Sequence, residues 1–140
     1  MIRSANYFFY YTYIGLVMVA GFWGAFLNPY FDFRLLFNFE LNNLPDFQRI
    51  NMLSQYRFLR AIELGFGIFS LLFVKNIFSE IKFNRLFIFI MGAGVLSRIT
   101  SIVIDGSPSG LMYFFLGFEM VGLTVIYFYS RKLAAQHVIT

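Results

Sequence analysis

Long apolar stretches separated by short polar segments dominate the chain. The first runs without a charged residue from Ser4 to Phe31, and three more follow, each interrupted by charged residues. A helix needs roughly 20 apolar residues to cross about 30 Å of hydrocarbon. The pattern therefore predicts an all-α membrane protein, a bundle of four transmembrane helices at about residues 8–28, 57–78, 85–104 and 111–130.

The first stretch has a signal peptide as its alternative interpretation, because Arg3 supplies a basic start. Its apolar part is longer than the core of a signal peptide, and no small-residue cleavage site follows. We therefore expect a retained first span. Since no internal repeat or second domain is visible, residues 1–140 are expected to form a single transmembrane domain.

The connection between the first two predicted spans is amphipathic. From Phe31 to Leu41 apolar and polar residues nearly alternate, a period typical of a strand. A lone strand would leave its backbone groups unpaired, so we favour the other interpretation, a partly helical segment on the extracytoplasmic membrane surface. Pro45 and Asp46 then predict a helix start, with Asp46 as the N-cap of a helix that continues into the second span.

Lysine and arginine residues in short loops set the orientation of a membrane protein. One side of the predicted bundle collects six of them, whereas three arginines on the other side are diluted by acidic residues. Both termini are therefore expected to be cytoplasmic. The six basic residues are Arg3, Lys75, Lys82, Arg85, Arg131 and Lys132.

Composition excludes several kinds of site. Hydrophobic residues make up 59% of the chain and charged residues 13%, against about 25% charged in a soluble domain. The chain has no cysteine and a single histidine, His137, so we expect no disulfide, metal site or cofactor. The net charge of +4 comes from scattered basic residues, and we expect no nucleic-acid partner.

Ionisable residues inside the predicted spans are the strongest candidates for a functional site. A charge near the bilayer centre costs at least ~2.5–3.5 kcal/mol, so these residues should face inward and pair. In the outer half of the bundle, three arginines balance three carboxylates. With neighbouring polar residues, the candidate set is Tyr56, Arg57, Arg60, Glu63, Arg98, Ser101, Asp105 and Glu119.

Two interpretations of this polar cluster stay open. It is a neutral network that locks the helices together, or it is such a network with an outward pocket in which arginines bind an anionic or polar headgroup. Catalysis or proton relay by Glu63 or Glu119 is not favoured, because nearby arginines keep the carboxyls ionised and no histidine is available as a base. We therefore assign no catalytic residue.

The short turn from Asp105 to Gly110 makes the last two predicted helices antiparallel neighbours. Arg98 and Glu119 then lie at similar depth, and we predict that they pair. Glu63 is expected to pair with Arg60 on its own helix or with Arg98 as a third member. Glycines inside the spans, among them Gly24, Gly65, Gly67, Gly94 and Gly117, are typical of close helix packing.

Three sequence segments carry a resemblance to a known family. They are Tyr56–Gly67, the run from Ser97 to Ser109 with Arg98, Ser101, Asp105, Gly106 and Pro108, and Glu119 in the last span. Between about Gly15 and Arg131 the chain resembles small bacterial four-span membrane proteins that form a domain of unknown function, with a layout similar to DoxX-like four-helix proteins. The resemblance implies a bacterial inner-membrane location and no known activity.

Two functions follow as hypotheses. The first is a four-helix protein whose polar cluster binds a lipid headgroup or a small anionic ligand, with membrane lipids as partners. The second is an accessory or structural subunit of a larger membrane complex, or a homo-oligomer, in which the phenylalanine-rich surfaces form the contacts.

Overall fold

The computed structural model describes the backbone of residues 2–137 and the side chains of residues 3–131. The side chains of Lys132 and His137, which entered the orientation and metal arguments, lie outside these described residues. The described chain is all helical and contains no strand. Its six α-helices are α1 (Ile2–Phe22), α2 (Pro29–Phe37), α3 (Asp46–Leu72), α4 (Val74–Ser79), α5 (Ile81–Ile104) and α6 (Gly110–His137).

The amphipathic connection after α1 is helical, as favoured from the sequence, and its strand interpretation is wrong. A π-helical turn, Trp23–Leu27, extends α1 before the chain reverses. The side chain of Asn28 then accepts the Phe31 N–H at 3.2 Å and caps α2, while Pro29 occupies its first turn, where a missing N–H costs nothing. Asn38 ends α2 in the left-handed region, at φ 51°, a conformation that asparagine tolerates.

The long helix α3 begins one residue before the predicted start, and Asp46 is its first helical residue rather than the predicted N-cap. Its first turn includes Asp46, whose carboxylate lies 2.5 Å from Arg49, and the helix then continues for 27 residues without a break. It ends at Leu72, so the predicted span 57–78 is divided between α3 and the six-residue α4. After Glu80 the chain enters α5 at Ile81, a few residues before the predicted boundary at 85.

Within the described residues, three helical segments are long and apolar enough to cross a membrane, namely Arg3–Leu27, Ile81–Ile104 and Gly110–Arg131. Large apolar side chains on them, such as Phe8, Phe89 and Phe128, are more than half exposed. Such a surface is compatible with a membrane protein. The predicted second span is not among the three, because Arg57, Arg60 and Glu63 lie in its first half.

The chain divides into two compact units. The central unit, Ile14–Phe69, contains the second half of α1, all of α2 and most of α3. In it α1 and α3 approach so closely that a Cβ atom on Gly21 would lie 2.8 Å from the Leu64 backbone nitrogen. Only a glycine fits at such a crossing.

The terminal unit combines Met1–Tyr13 with Ser70–Thr140. Its buried residues include Tyr10, whose hydroxyl donates to the Ser70 carbonyl at 2.7 Å. The Asn84 amide donates to the Ile77 carbonyl at 3.1 Å and to the Ser130 hydroxyl at 2.8 Å. One side chain of α5 thereby joins α4 and α6, which satisfies polar groups that would otherwise be costly in an apolar core.

Candidate functional site

The central unit holds a charged cluster that ties α2 to α3. The Tyr56 hydroxyl donates to Asp32 Oδ2 at 2.9 Å and accepts from Arg60 Nε at 2.8 Å. Arg60 Nε also lies 3.7 Å from Asp32 Oδ2, and its Nη1 donates to Glu63 at 2.6 Å. We call these four residues, Asp32, Tyr56, Arg60 and Glu63, the central cluster.

The central cluster is enclosed. The side chains of Asp32 and Arg60 are 10% and 13% exposed, whereas Glu63 at the edge is 46% exposed. The Phe33 ring packs on Tyr56 with 4.7 Å between centroids. A Cβ atom on Gly24 would lie 2.7 Å from both Arg60 Cγ and Asp32 Oδ2. This arrangement leaves no room for a ligand beside Gly24. Its contacts hold α2 against α3.

Arg57 supports the same region and makes no ion pair with the described residues. Its guanidinium donates to the backbone carbonyl of Ala25, in the π-helical turn that extends α1. Carbonyls near a helix end have no partner within the helix. The contact therefore fastens the end of α1 to α3.

The terminal unit holds the second charged site, the Arg98–Glu119 pair. Arg98 Nε donates to Glu119 Oε2 at 2.9 Å and Nη2 donates to Oε1 at 3.3 Å, so the contact is bidentate. Arg98 Nη1 points to the Met112 sulfur at 3.5 Å. The predicted pairing of Arg98 with Glu119 is thus present, and it bridges α5 and α6. The planar guanidinium suits such a two-pronged contact with a carboxylate.

The remaining predicted residues lie near the α5–α6 turn. Ser101 and Asp105 are exposed, and the Asp105 N–H donates to the Ser101 carbonyl at the end of α5. Asp105 makes no ion pair within the described chain. The structure therefore pairs Arg60 with Glu63 and Arg98 with Glu119, while a single network of all the candidate residues stays a prediction.

Asp32 is the member that sequence reasoning did not place in the site. In the sequence, Asp32 is one of several acidic residues in the connection between the first two predicted spans. Its burial follows from α2, which turns the first part of that connection back onto α3, 24 residues further along the chain. The local sequence signal for α2 is Asn28 followed by Pro29, a capping residue and a first-turn proline. In the part of the chain that the structure describes, no group of three His, Cys, Asp or Glu residues could hold a metal ion.

These features define a class, an all-helical domain with three apolar helices that could span a membrane and two charged sites. The model of the family described as "Domain of unknown function (DUF4345)" matches residues 7–130. The chain belongs to this family. Comparisons with curated proteins and with solved structures gave no match. The layout similar to DoxX-like proteins stays a prediction.

Proposed function

We propose that the protein is a four-span protein of the bacterial inner membrane whose Arg98–Glu119 site binds an anionic lipid headgroup or a small anionic ligand. One observation supports the site most directly. A guanidinium has five N–H groups, of which Arg98 uses two on Glu119 and one on the Met112 sulfur. The other two have no partner among the described residues, and the side chain is 37% exposed.

Glu119 suits this role because it fixes the guanidinium without enclosing it. The Glu119 side chain is 15% exposed, and its carboxylate contacts one edge of the Arg98 guanidinium. A preoriented arginine loses little rotamer freedom when an anion binds its open edge. The central cluster offers no such opening, since Arg60 is 13% exposed.

The pairing of charges also supports a fourth span in the predicted second segment. Isolated charges at this depth would each cost at least ~2.5–3.5 kcal/mol. Arg60 and Glu63 are paired through a 2.6 Å contact, and Arg57 donates one N–H group to a backbone carbonyl. Pairing lowers the free-energy cost of placing α3 in hydrocarbon. A helix that is too charged to count as a span by hydropathy is therefore still compatible with crossing the membrane.

The proposed orientation predicts opposite accessibility at two exposed positions. Because the chain has no cysteine, single Asn43→Cys and Lys82→Cys variants give clean reporters. In intact cells a membrane-impermeant thiol reagent should label position 43 and leave position 82 unlabelled until the membrane is broken. Labelling of position 82 alone would contradict the orientation.

Lipid selectivity near Arg98 tests the binding role. Gly94 lies one helical turn before Arg98 and has open space above it, so Gly94→Cys can carry a fluorophore. In phosphatidylcholine vesicles, we expect spin-labelled phosphatidylglycerol to quench this fluorophore more strongly than spin-labelled phosphatidylcholine. The preference should vanish in the Arg98→Leu/Glu119→Leu variant, which removes both charges and leaves no unpaired charge behind. Equal quenching by the two lipids in the native background would refute a headgroup site there.

A second function, an accessory subunit, is favoured by one surface. Phe47 and Ile50 are 78% and 61% exposed near the start of α3, in the part that precedes the predicted span. Apolar side chains outside the hydrocarbon suit a protein partner. Recovery of the chain only with one fixed partner after gentle detergent extraction would favour this role over lipid binding.

A further inference from the structure

A groove of about 610 Å³ lies in the terminal unit, beside the junction of α4 and α5 and the end of α6. It takes no part in the site proposed above. Arg85 and Arg98 are 13 positions apart on α5, which corresponds to about 20 Å at 1.5 Å per residue. On the proposed topology the groove faces the cytoplasmic leaflet.

The polar part of the groove favours an anion. Two exposed arginines, Arg85 and Arg131, line it. The Arg131 guanidinium stacks 5.1 Å above the Tyr127 ring, and Arg85 makes no ion pair within the described residues. The acidic residue of the lining, Glu80, accepts a hydrogen bond from the Asn76 amide at 2.5 Å and keeps its negative charge, so the two arginines leave the lining with a net charge of +1.

The amino terminus of α5 also favours an anion in the groove. The helix has 24 residues, and no side chain among the described residues caps its first turn. The open N–H groups and the helix dipole favour a negative group at this end. Two arginines and the helix start favour an anion here, and together they outweigh the single negative charge of Glu80, the N-cap residue of α5.

Most of the surface that lines the groove is apolar. Ile81, Ile88 and Phe89 line the groove on α5, and Ile88 and Phe89 lie about one helical turn beyond Arg85. A free phosphate ion would leave this wall uncovered, whereas an acyl chain would bury it at about 25 cal/mol per Å². A phosphate joined to a hydrocarbon chain matches both parts of the groove.

We propose that this groove binds an anionic phospholipid, with its phosphate between Arg85 and Arg131 and an acyl chain along Ile88 and Phe89. The site differs from a general attraction of basic loops to an anionic leaflet, because it depends on two particular arginines beside an apolar wall. Lys75 and Lys82 are exposed on α4 and α5 but do not line the groove, and they provide the matched control.

A fluorophore on Ser79→Cys, at the rim of the groove, reports occupancy in phosphatidylcholine vesicles. We expect spin-labelled phosphatidylglycerol to quench it in preference to spin-labelled phosphatidylcholine. Arg85→Gln/Arg131→Gln should lower that preference by about tenfold, since each arginine contributes a charge-assisted hydrogen bond. Lys75→Gln/Lys82→Gln, with the same loss of charge, should keep it.

Three results would overturn the proposal. They are an absent preference for phosphatidylglycerol, an equal loss in the lysine control, and abolition of the quenching by inorganic phosphate, which would indicate a phosphate site without a lipid chain. The Arg98→Leu/Glu119→Leu variant should retain the preference at position 79. This site and the Arg98–Glu119 site can therefore fail independently.

Discussion

Replacing Arg98 with leucine should lower the free energy of unfolding by about 3 kcal/mol, and Glu119→Leu should have a similar effect. Each change leaves the other member of the pair without its counter-charge in an apolar setting, where removal of one partner costs about 3–5 kcal/mol. We expect the lower end of that range because Arg98 is 37% exposed. The measurement is reversible unfolding in mixed detergent micelles.

The double variant distinguishes a coupled pair from two independent contributions. Arg98→Leu/Glu119→Leu should recover more than half of the summed loss, because two leucines on α5 and α6 can pack without orphan charges. Lys82→Leu removes an exposed cation from the same helix and should change the stability by no more than about 0.5 kcal/mol. Additive losses in the double variant would show that the contact seen between the two side chains contributes little.

Local sequence patterns were sufficient to predict the parts of the fold that depend on neighbouring residues. The start of α3 at Asp46 lies within one residue of the predicted start, and the turn after Ile104 lies where the sequence predicts it. In that turn Gly106 has φ 107°, a conformation that glycine adopts without strain. The Arg98–Glu119 pair could be predicted for the same reason, because a short turn forces α5 and α6 to be neighbours.

Contacts between segments that are far apart in the sequence could not be predicted from it. Asp32 lies 24 residues before Tyr56, and nothing in its own neighbourhood shows that α2 folds back onto α3. The break after Leu72 was also missed, since the residues around Phe73 are as apolar as a continuous span. Hydropathy measures the preference of a segment for lipid, and it does not record where a helix ends within an apolar run.

Glycines illustrate the same limit. The sequence indicates close packing at Gly65, Gly94 and Gly117, yet a Cβ atom at any of them would meet nothing within 4 Å. The close contacts occur instead at Gly24 and Gly67, which were expected, and at Gly21, which was not singled out. Spacing identifies small residues, but only the crossing point of two helices decides which of them must be small.

Gly21→Ala should therefore destabilise the central unit, whereas Gly15→Ala on the same helix should not. The Cβ atom at position 21 would lie 2.8 Å from the Leu64 nitrogen and 2.9 Å from the Arg60 carbonyl oxygen. Both are backbone atoms of α3, so relief requires the helices to separate, and we expect a loss of about 1–3 kcal/mol in unfolding free energy. At Gly15 the methyl group meets open space, and alanine should gain up to about 1 kcal/mol from helix propensity. Equal effects at the two positions in detergent unfolding would contradict the close approach of α1 and α3 at Gly21.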